Sequence, residues 1–159
     1  STTLRRSSCA TTTRSRRQNT TLSSGGRRMK RSHAQFVLSL DIDGTLESGD
    51  PPGPLLLDRV RAAQSRGAII GSCSDQTLTE QRMMWEDNNI VPAFVAGKTQ
   101  LLVVRERFPF ATAFVHVGDT DVDRRWAHRA GFDFVASQLL EGGSAPVELS
   151  GWMRLAVGP

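Results

Sequence analysis

Residues 36–46 read Phe-Val-Leu-Ser-Leu-Asp-Ile-Asp-Gly-Thr-Leu, a strand-like run (36–40) that delivers two carboxylates, Asp41 and Asp43, at its end. A short, nearly unbroken apolar run is the mark of a strand buried on both faces, and such strands belong to parallel sheets. The rest of the chain repeats the pattern. Residues 68–72 (AIIGS), 92–96 (PAFVA), 113–117 (AFVHV) and 132–136 (FDFVA) are further strand-length runs leaning to Val, Ile and Phe. Between them lie amphipathic segments. In 55–66, Leu56, Val60 and Ala63 share one helical face, and in 121–130 Val122, Trp126 and Ala130 share another. Gly67 and Gly131 follow these segments where a helix C-terminus favours glycine. Thr77 and Glu80 form a capping box that opens a helix closing near Asn88 and Asn89. Strands alternating with helices predict an α/β fold: a Rossmann-like parallel sheet of about five strands flanked by helices.

Charge divides the 159-residue chain in two. Residues 1–35 hold nine basic residues and no acid, which leaves eleven basic against sixteen acidic residues in the remainder, a net of −5. The segment 1–35, rich in Ser, Thr and Arg, contains too little apolar surface to offset the entropy of ordering, so it is expected to be a disordered tail preceding a single domain at 36–159. Three readings of the tail stand: an organellar transit peptide, a tether for nucleic acid or an acidic surface through residues 5–31, or an extension without function ahead of Met29. No apolar run approaches a membrane span, and two cysteines without metal-like spacing, Cys9 and Cys73, point to a reducing compartment. The expected location is cytoplasmic, or organellar under the transit-peptide reading.

A parallel α/β sheet binds ligands beyond the carboxyl ends of its strands. Asp41 follows the first run, Ser72 and Ser74 end the second, Lys98 follows the third and Asp119 follows the fourth, so all lie at one edge. A calcium loop beginning at Asp41 fails on spacing, because Leu46 and Pro52 stand where glycine and glutamate are needed. Phosphoryl transfer fits better. It needs a nucleophile, a proton donor for the leaving oxygen and positive charge around the phosphate. Asp41 can attack as a carboxylate, and Asp43, turned by the bend at Gly44, can donate the proton and later activate water. Ser74 or Ser72, together with Gly44, Thr45 and Lys98, are the candidate phosphate contacts. Two anions facing a phosphate call for a hard cation, and Asp41 with Asp119 can supply oxygen ligands to Mg²⁺.

With these residues in place, the chain resembles the haloacid dehalogenase-like superfamily over roughly residues 36–137. "DIDGTL" (41–46) is similar to its D-x-D-G-T motif, "GDTDVD" (118–123) to its G-D-x-x-x-D motif, and Asp41, Ser74, Lys98 and Asp119 follow the family's motif order. The resemblance implies a Rossmann-like fold, Mg²⁺, Asp41 as nucleophile, Asp43 as acid/base with its carbonyl on the metal, and Asp119 as metal ligand. It further implies that Asp123 orients Lys98 or supports the metal shell. The second acid, absent from dehalogenases of the family, implies a phosphatase or phosphotransferase. Asp75 and Gln76 stand where relatives often carry Gly-Arg.

Cap domains of the family are inserted after the first motif or between the second and third, and the spans Leu46 to Leu55 and Ser74 to Lys98 leave no room for one. The site should therefore be open, suited to a phosphate on a large substrate or covered by a second subunit for a small one. Residues 47–54 (ESGDPPGP) form either a rigid turn or a substrate-contact loop beside it. The expected activity is Mg²⁺-dependent phosphomonoester hydrolysis through an aspartyl-phosphate. The alternatives are a non-catalytic binding protein of the same fold, tethered by its basic tail, and a sugar phosphotransferase, which normally wants a cap to exclude water. His116 and His128 are read as core or surface residues, Met84 and Trp85 as packing, Asp121 as a bystander, and Cys73 as a buried thiol facing away from Ser72 and Ser74.

Overall fold

The computed structural model describes residues 35–143. The basic segment before them, and most of the loop and short closing helix expected at 142–152, lie outside the described residues.

Five strands form one parallel sheet: β1 (Phe36–Leu40), β2 (Ile69–Ser74), β3 (Phe94–Gly97), β4 (Ala113–Gly118) and β5 (Asp133–Ala136). Four helices connect them: α1 (Leu57–Ser65), α2 (Leu78–Asp87), α3 (Leu101–Arg107), which follows a 3₁₀ turn at Lys98–Gln100, and α4 (Asp121–Ala130). The strand order is β3-β2-β1-β4-β5. The chain runs outward from β1 through β2 to β3, then restarts on the opposite side with β4. Between β1 and β4 the order reverses, which opens a crevice at the carboxyl ends of these two strands. Asp41 and Asp119 follow those ends.

Alternation along the strands divides the core into two layers. Leu38, Leu40, Ile70, Val115, Val117 and Val135 pack with Leu57, Val60 and Ala63 of α1 and Trp85 of α2. Val37, Cys73, Phe94 and Phe114 pack with Leu101 and Val104 of α3 and Ala127 and Ala130 of α4. The segments preceding α1 and separating β2 from Lys98 contain only a loop with a Leu46–Leu55 bridge and α2 with β3, so no inserted domain covers this edge. No helix among the described residues is long and apolar enough to cross a membrane.

Two expected helix faces are corrected. In α1 the inward positions are Leu57, Val60 and Ala63, while Leu56 adopts the extended N-cap conformation and is 46% exposed. The helix starts one residue later than apolar periodicity implies, because Leu55 is still held in the bridge to Leu46 and its amide donates to the Thr45 carbonyl. In α4 the inward positions are Asp123, Ala127 and Ala130, and Val122 is 40% exposed. A buried carboxylate occupies the place where the pattern seeks an apolar residue, so the stripe is one residue out of phase at Val122 and Trp126, while Ala130 is buried as expected. Trp126 remains half-buried at the rim with the Arg129 guanidinium over its ring. The Thr77–Glu80 capping box forms as expected, Asn88 caps the other end of α2, and Gly131 ends α4 in the left-handed conformation at φ +71°.

Candidate active site

Asp41 continues the register of β1, its amide donating to the Val117 carbonyl of β4 at 2.9 Å, and it is 3% exposed. Burial raises its pKa above the usual range. The charge of Asp123 adds to this rise, while Lys98, the Ile42 backbone and the Ser74 hydroxyl work against it. Lys98 enters from the 3₁₀ turn after β3 and is buried; its Nζ lies 3.2 Å from Asp41 Oδ2, 2.9 Å from Asp75 Oδ2 and 2.8 Å from Asp123 Oδ1. Burial alone would lower the ammonium's pKa, but hydrogen bonding to Asp123 and Asp75 and the charges of Asp41 and Asp123 raise it above the usual lysine range. It stays a cation. A lysine merely solvated at a helix start is ruled out by this burial.

Asp123 is fully buried on the first turn of α4, where Thr120 caps the helix. Its Oδ2 accepts from the Thr120 amide at 3.1 Å and the Thr120 hydroxyl at 2.6 Å, which leaves Oδ1 to face Lys98. Burial opposes its ionisation, but His116, Lys98 and Thr120 outweigh burial and hold the carboxyl well below its usual range. Gly118 makes the approach of α4 feasible, since a Cβ there would stand 2.5 Å from Asp123 Cγ. Gly44 does the same for Asp119: its φ is +68°, and a Cβ would collide with Asp119 Oδ2. Ligand oxygens of Asp41, Asp119 and Asp123 all lie within 4.8 Å of one another.

Asp43 is half-buried, and its Oδ1 accepts from the Asp50 amide and from Gln76 Nε2, both at 2.8 Å. The structure separates the two serines left open by the sequence. Ser74 ends β2 beside Asp41, and its hydroxyl oxygen accepts from the Gln76 amide at 3.3 Å. Ser72 lies inside the core, donating to Gln81 Oε1 at 2.7 Å and accepting from Trp85 Nε1 at 2.9 Å, so its hydroxyl is committed to α2. Gly44 and Thr45 are likewise engaged: their amides donate to the Pro51 and Ile42 carbonyls, and the Thr45 side chain is fully buried. Their amides are thus committed, whereas the buried Thr45 hydroxyl has no hydrogen-bond partner among the described residues. Asp121 is exposed and, among the described residues, pairs with Arg124, and Cys73 is a buried thiol on the face opposite Ser72, as read from the sequence.

Three contributors escape a reading by residue spacing. His116 is fully buried in β4, with Nδ1 2.9 Å from Ser39 Oγ and Nε2 3.5 Å from Asp123 Oδ1. Its partners come from the neighbouring strand and from α4, so local sequence gives only the weak signal of a titratable residue in a buried run. Asp75 pairs with Lys98, and fully buried Gln81 ties α2 to β2 and β3. Models of known protein families and curated proteins were compared with the chain, and none matches.

Proposed function

We propose that the chain is a phosphomonoester hydrolase of the haloacid dehalogenase-like superfamily, dependent on Mg²⁺ and working through an aspartyl-phosphate on Asp41. The observation that carries the reading is the convergence on Asp41 of a buried lysine at 3.2 Å and two further carboxylates, Asp119 and Asp123, within metal-ligand reach at the sheet's switch point.

The donor set suits a hard cation. Its ligands are carboxylate oxygens, and the missing Cβ at Gly44 makes room for Asp119 to join them. Asp41, Asp119 and the Asp43 carbonyl would hold the ion, whose contribution is to offset the repulsion between a phosphate and the surrounding carboxylates. Asp123 is assigned chiefly to Lys98, because its second oxygen is already fixed by Thr120. Lys98 neutralises the attacking carboxylate and presents positive charge to an equatorial phosphate oxygen. The Ser74 hydroxyl, next to Asp41, is the phosphate hydrogen-bond donor of this reading. Asp41 attacks phosphorus as a carboxylate, the leaving oxygen takes a proton from Asp43, and Asp43 then removes a proton from the water that cleaves the aspartyl-phosphate.

The absence of an inserted domain beside this edge favours a phosphate on a large substrate, or a site completed by a second subunit. A phosphate-release screen over metabolites, phosphopeptides and nucleic-acid ends, with and without Mg²⁺, tests the reading. Release that needs Mg²⁺ and disappears in Asp41→Asn is expected. Full activity in a folded Asp41→Asn variant would overturn the mechanism, and no release from any ester would overturn the activity.

A further inference from the structure

Oδ1 of Asp43 receives two hydrogen bonds, from the Asp50 amide and from Gln76 Nε2, whereas Oδ2 receives none from the described residues. Gln76 is not a loose surface amide. Its own N–H donates to Ser74 Oγ, and its carbonyl accepts from Gln81 Nε2 at 2.9 Å. Gln81 is fully buried, also donates to the Ala96 carbonyl of β3 and accepts the Ser72 hydroxyl. A continuous set of bonds thus runs from the interior of the sheet, through Gln81 and the backbone of Gln76, to one oxygen of Asp43. This holds Gln76 at its place against the rotamer freedom of a long side chain.

The consequence concerns where Asp43 carries its proton. A carboxyl oxygen that accepts from two N–H groups cannot also bear a hydrogen toward them, because donor would face donor. Oδ2 is therefore the oxygen of Asp43 left free to exchange a proton with a substrate. We infer that Gln76 is a positioning residue that holds Oδ1 of Asp43 and so presents Oδ2 to the leaving group. The inference rests on the phosphatase reading and deepens it. In the first half-reaction an Asp41 oxygen bonds to phosphorus, the bond from phosphorus to the leaving oxygen breaks with its electron pair on that oxygen, and the Oδ2 proton transfers to it. In the second, Oδ2 takes a proton from water as the water oxygen bonds to phosphorus and the Asp41–phosphorus bond breaks, returning Asp41 and releasing phosphate.

Leaving groups separate positioning from mere structure. An activated aryl phosphate such as 4-nitrophenyl phosphate departs without a proton, whereas an alkyl phosphate depends on one. The measurement is kcat/KM, which covers only the steps through departure of the leaving group, for both substrate types in wild type, Gln76→Leu and Gln76→Asn. Both variants retain the backbone bonds of residue 76, and circular dichroism with urea unfolding confirms that each is folded. For the alkyl phosphate kcat/KM is expected to fall about 10- to 100-fold, a part of the full general-acid contribution, and for the aryl phosphate less than about threefold. Equal losses on both substrates, or no loss on either, overturn the role of Gln76 while leaving the phosphatase reading intact. Wild-type protein that releases no phosphate from either ester with Mg²⁺ overturns both.

Discussion

Replacing Lys98 by methionine removes a cation in contact with three carboxylates and nearly conserves volume. The pair with Asp75 is worth at most about 1 kcal/mol, because Asp75 is 78% exposed and its charge is screened. The pairs with Asp41 and Asp123 differ, since both acids are buried and lie 3.2 and 2.8 Å from Nζ. At an effective dielectric constant of about 20, each such contact attracts by about 5 kcal/mol before desolvation is counted. Deleting one partner of a buried pair strands the other charges, at a cost of about 3–5 kcal/mol, a large part of a domain stability of about 5–15 kcal/mol. Urea unfolding followed by circular dichroism should show the midpoint lowered by at least about 1 M. The pH dependence has a defined sign. Asp123 is held below its unfolded pKa, so its stabilisation is present above about pH 4 and is lost as pH falls. Lys98 is held above its own, so its stabilisation is complete below about pH 10 and is lost above. The difference between wild type and variant should therefore shrink on the acid side, where Asp123 takes up its proton and where Asp41, whose carboxyl Lys98 holds down, takes up its own earlier in the variant. Mg²⁺ should stabilise Lys98→Met more than wild type, because a second cation then relieves a larger repulsion. A deficit below about 1 kcal/mol, indifferent to pH and to Mg²⁺, would refute the view that this lysine holds the carboxylates together.

Gly44→Ala should abolish or weaken Mg²⁺ binding at least tenfold by calorimetry, because φ is +68° and the new Cβ meets Asp119 Oδ2; unaltered affinity would remove Asp119 from the ion's ligands. Cys73, whose thiol burial pushes up to about 12, should resist a disulfide reagent at pH 8 in native Cys9→Ser protein and react only on unfolding. Because that value lies above the unfolded one, wild type should lose stability from about pH 8.5 upward by as much as 1.4 kcal/mol per unit, and Cys73→Ala should not. Trp85→Phe removes the donor to Ser72 Oγ and part of a buried indole, and should lower stability by about 1–3 kcal/mol in urea while Mg²⁺ affinity is unchanged.

The sheet and its functional edge were legible in the sequence because both are recorded in local pattern. Five apolar runs gave the strands, and acids, hydroxyls and a lysine after those runs could lie only at one end of a parallel sheet. Ser72 and Ser74 share one parity, so alternation alone leaves both open, and β2 does continue to Ser74. Pattern failed where polar residues are buried. The Ser72 hydroxyl is consumed by Gln81 and Trp85, nine and thirteen residues onward, and no period announces such a pairing. In α4, a stripe drawn through Val122 and Trp126 missed the inward face because periodicity treats Asp123 as a solvent residue. His116 depends on the register Ser39↔His116 between β1 and β4, which exists only once strand order is known.

Asp123 shows why the misreading of α4 and the chemistry of the site have one cause. A fully buried carboxylate is expensive unless it is paired and hydrogen-bonded, and in α4 an alanine or valine at that position would satisfy the core more cheaply. The chain instead surrounds it with Thr120 on one oxygen, Lys98 on the other and His116 at 3.5 Å, and sets Gly118 beneath it to admit the approach. Four residues from three elements are thus committed to a group that contributes little to packing. Where local sequence logic is overridden at such cost, the compensation lies in what the group positions, and Asp123 positions Lys98 against Asp41. On this argument Asp123→Asn, which keeps shape but removes one of the three carboxylate charges around Lys98, should disturb phosphoryl transfer more than it disturbs folding. Loss of stability without loss of turnover would mean that the buried acid serves the fold after all.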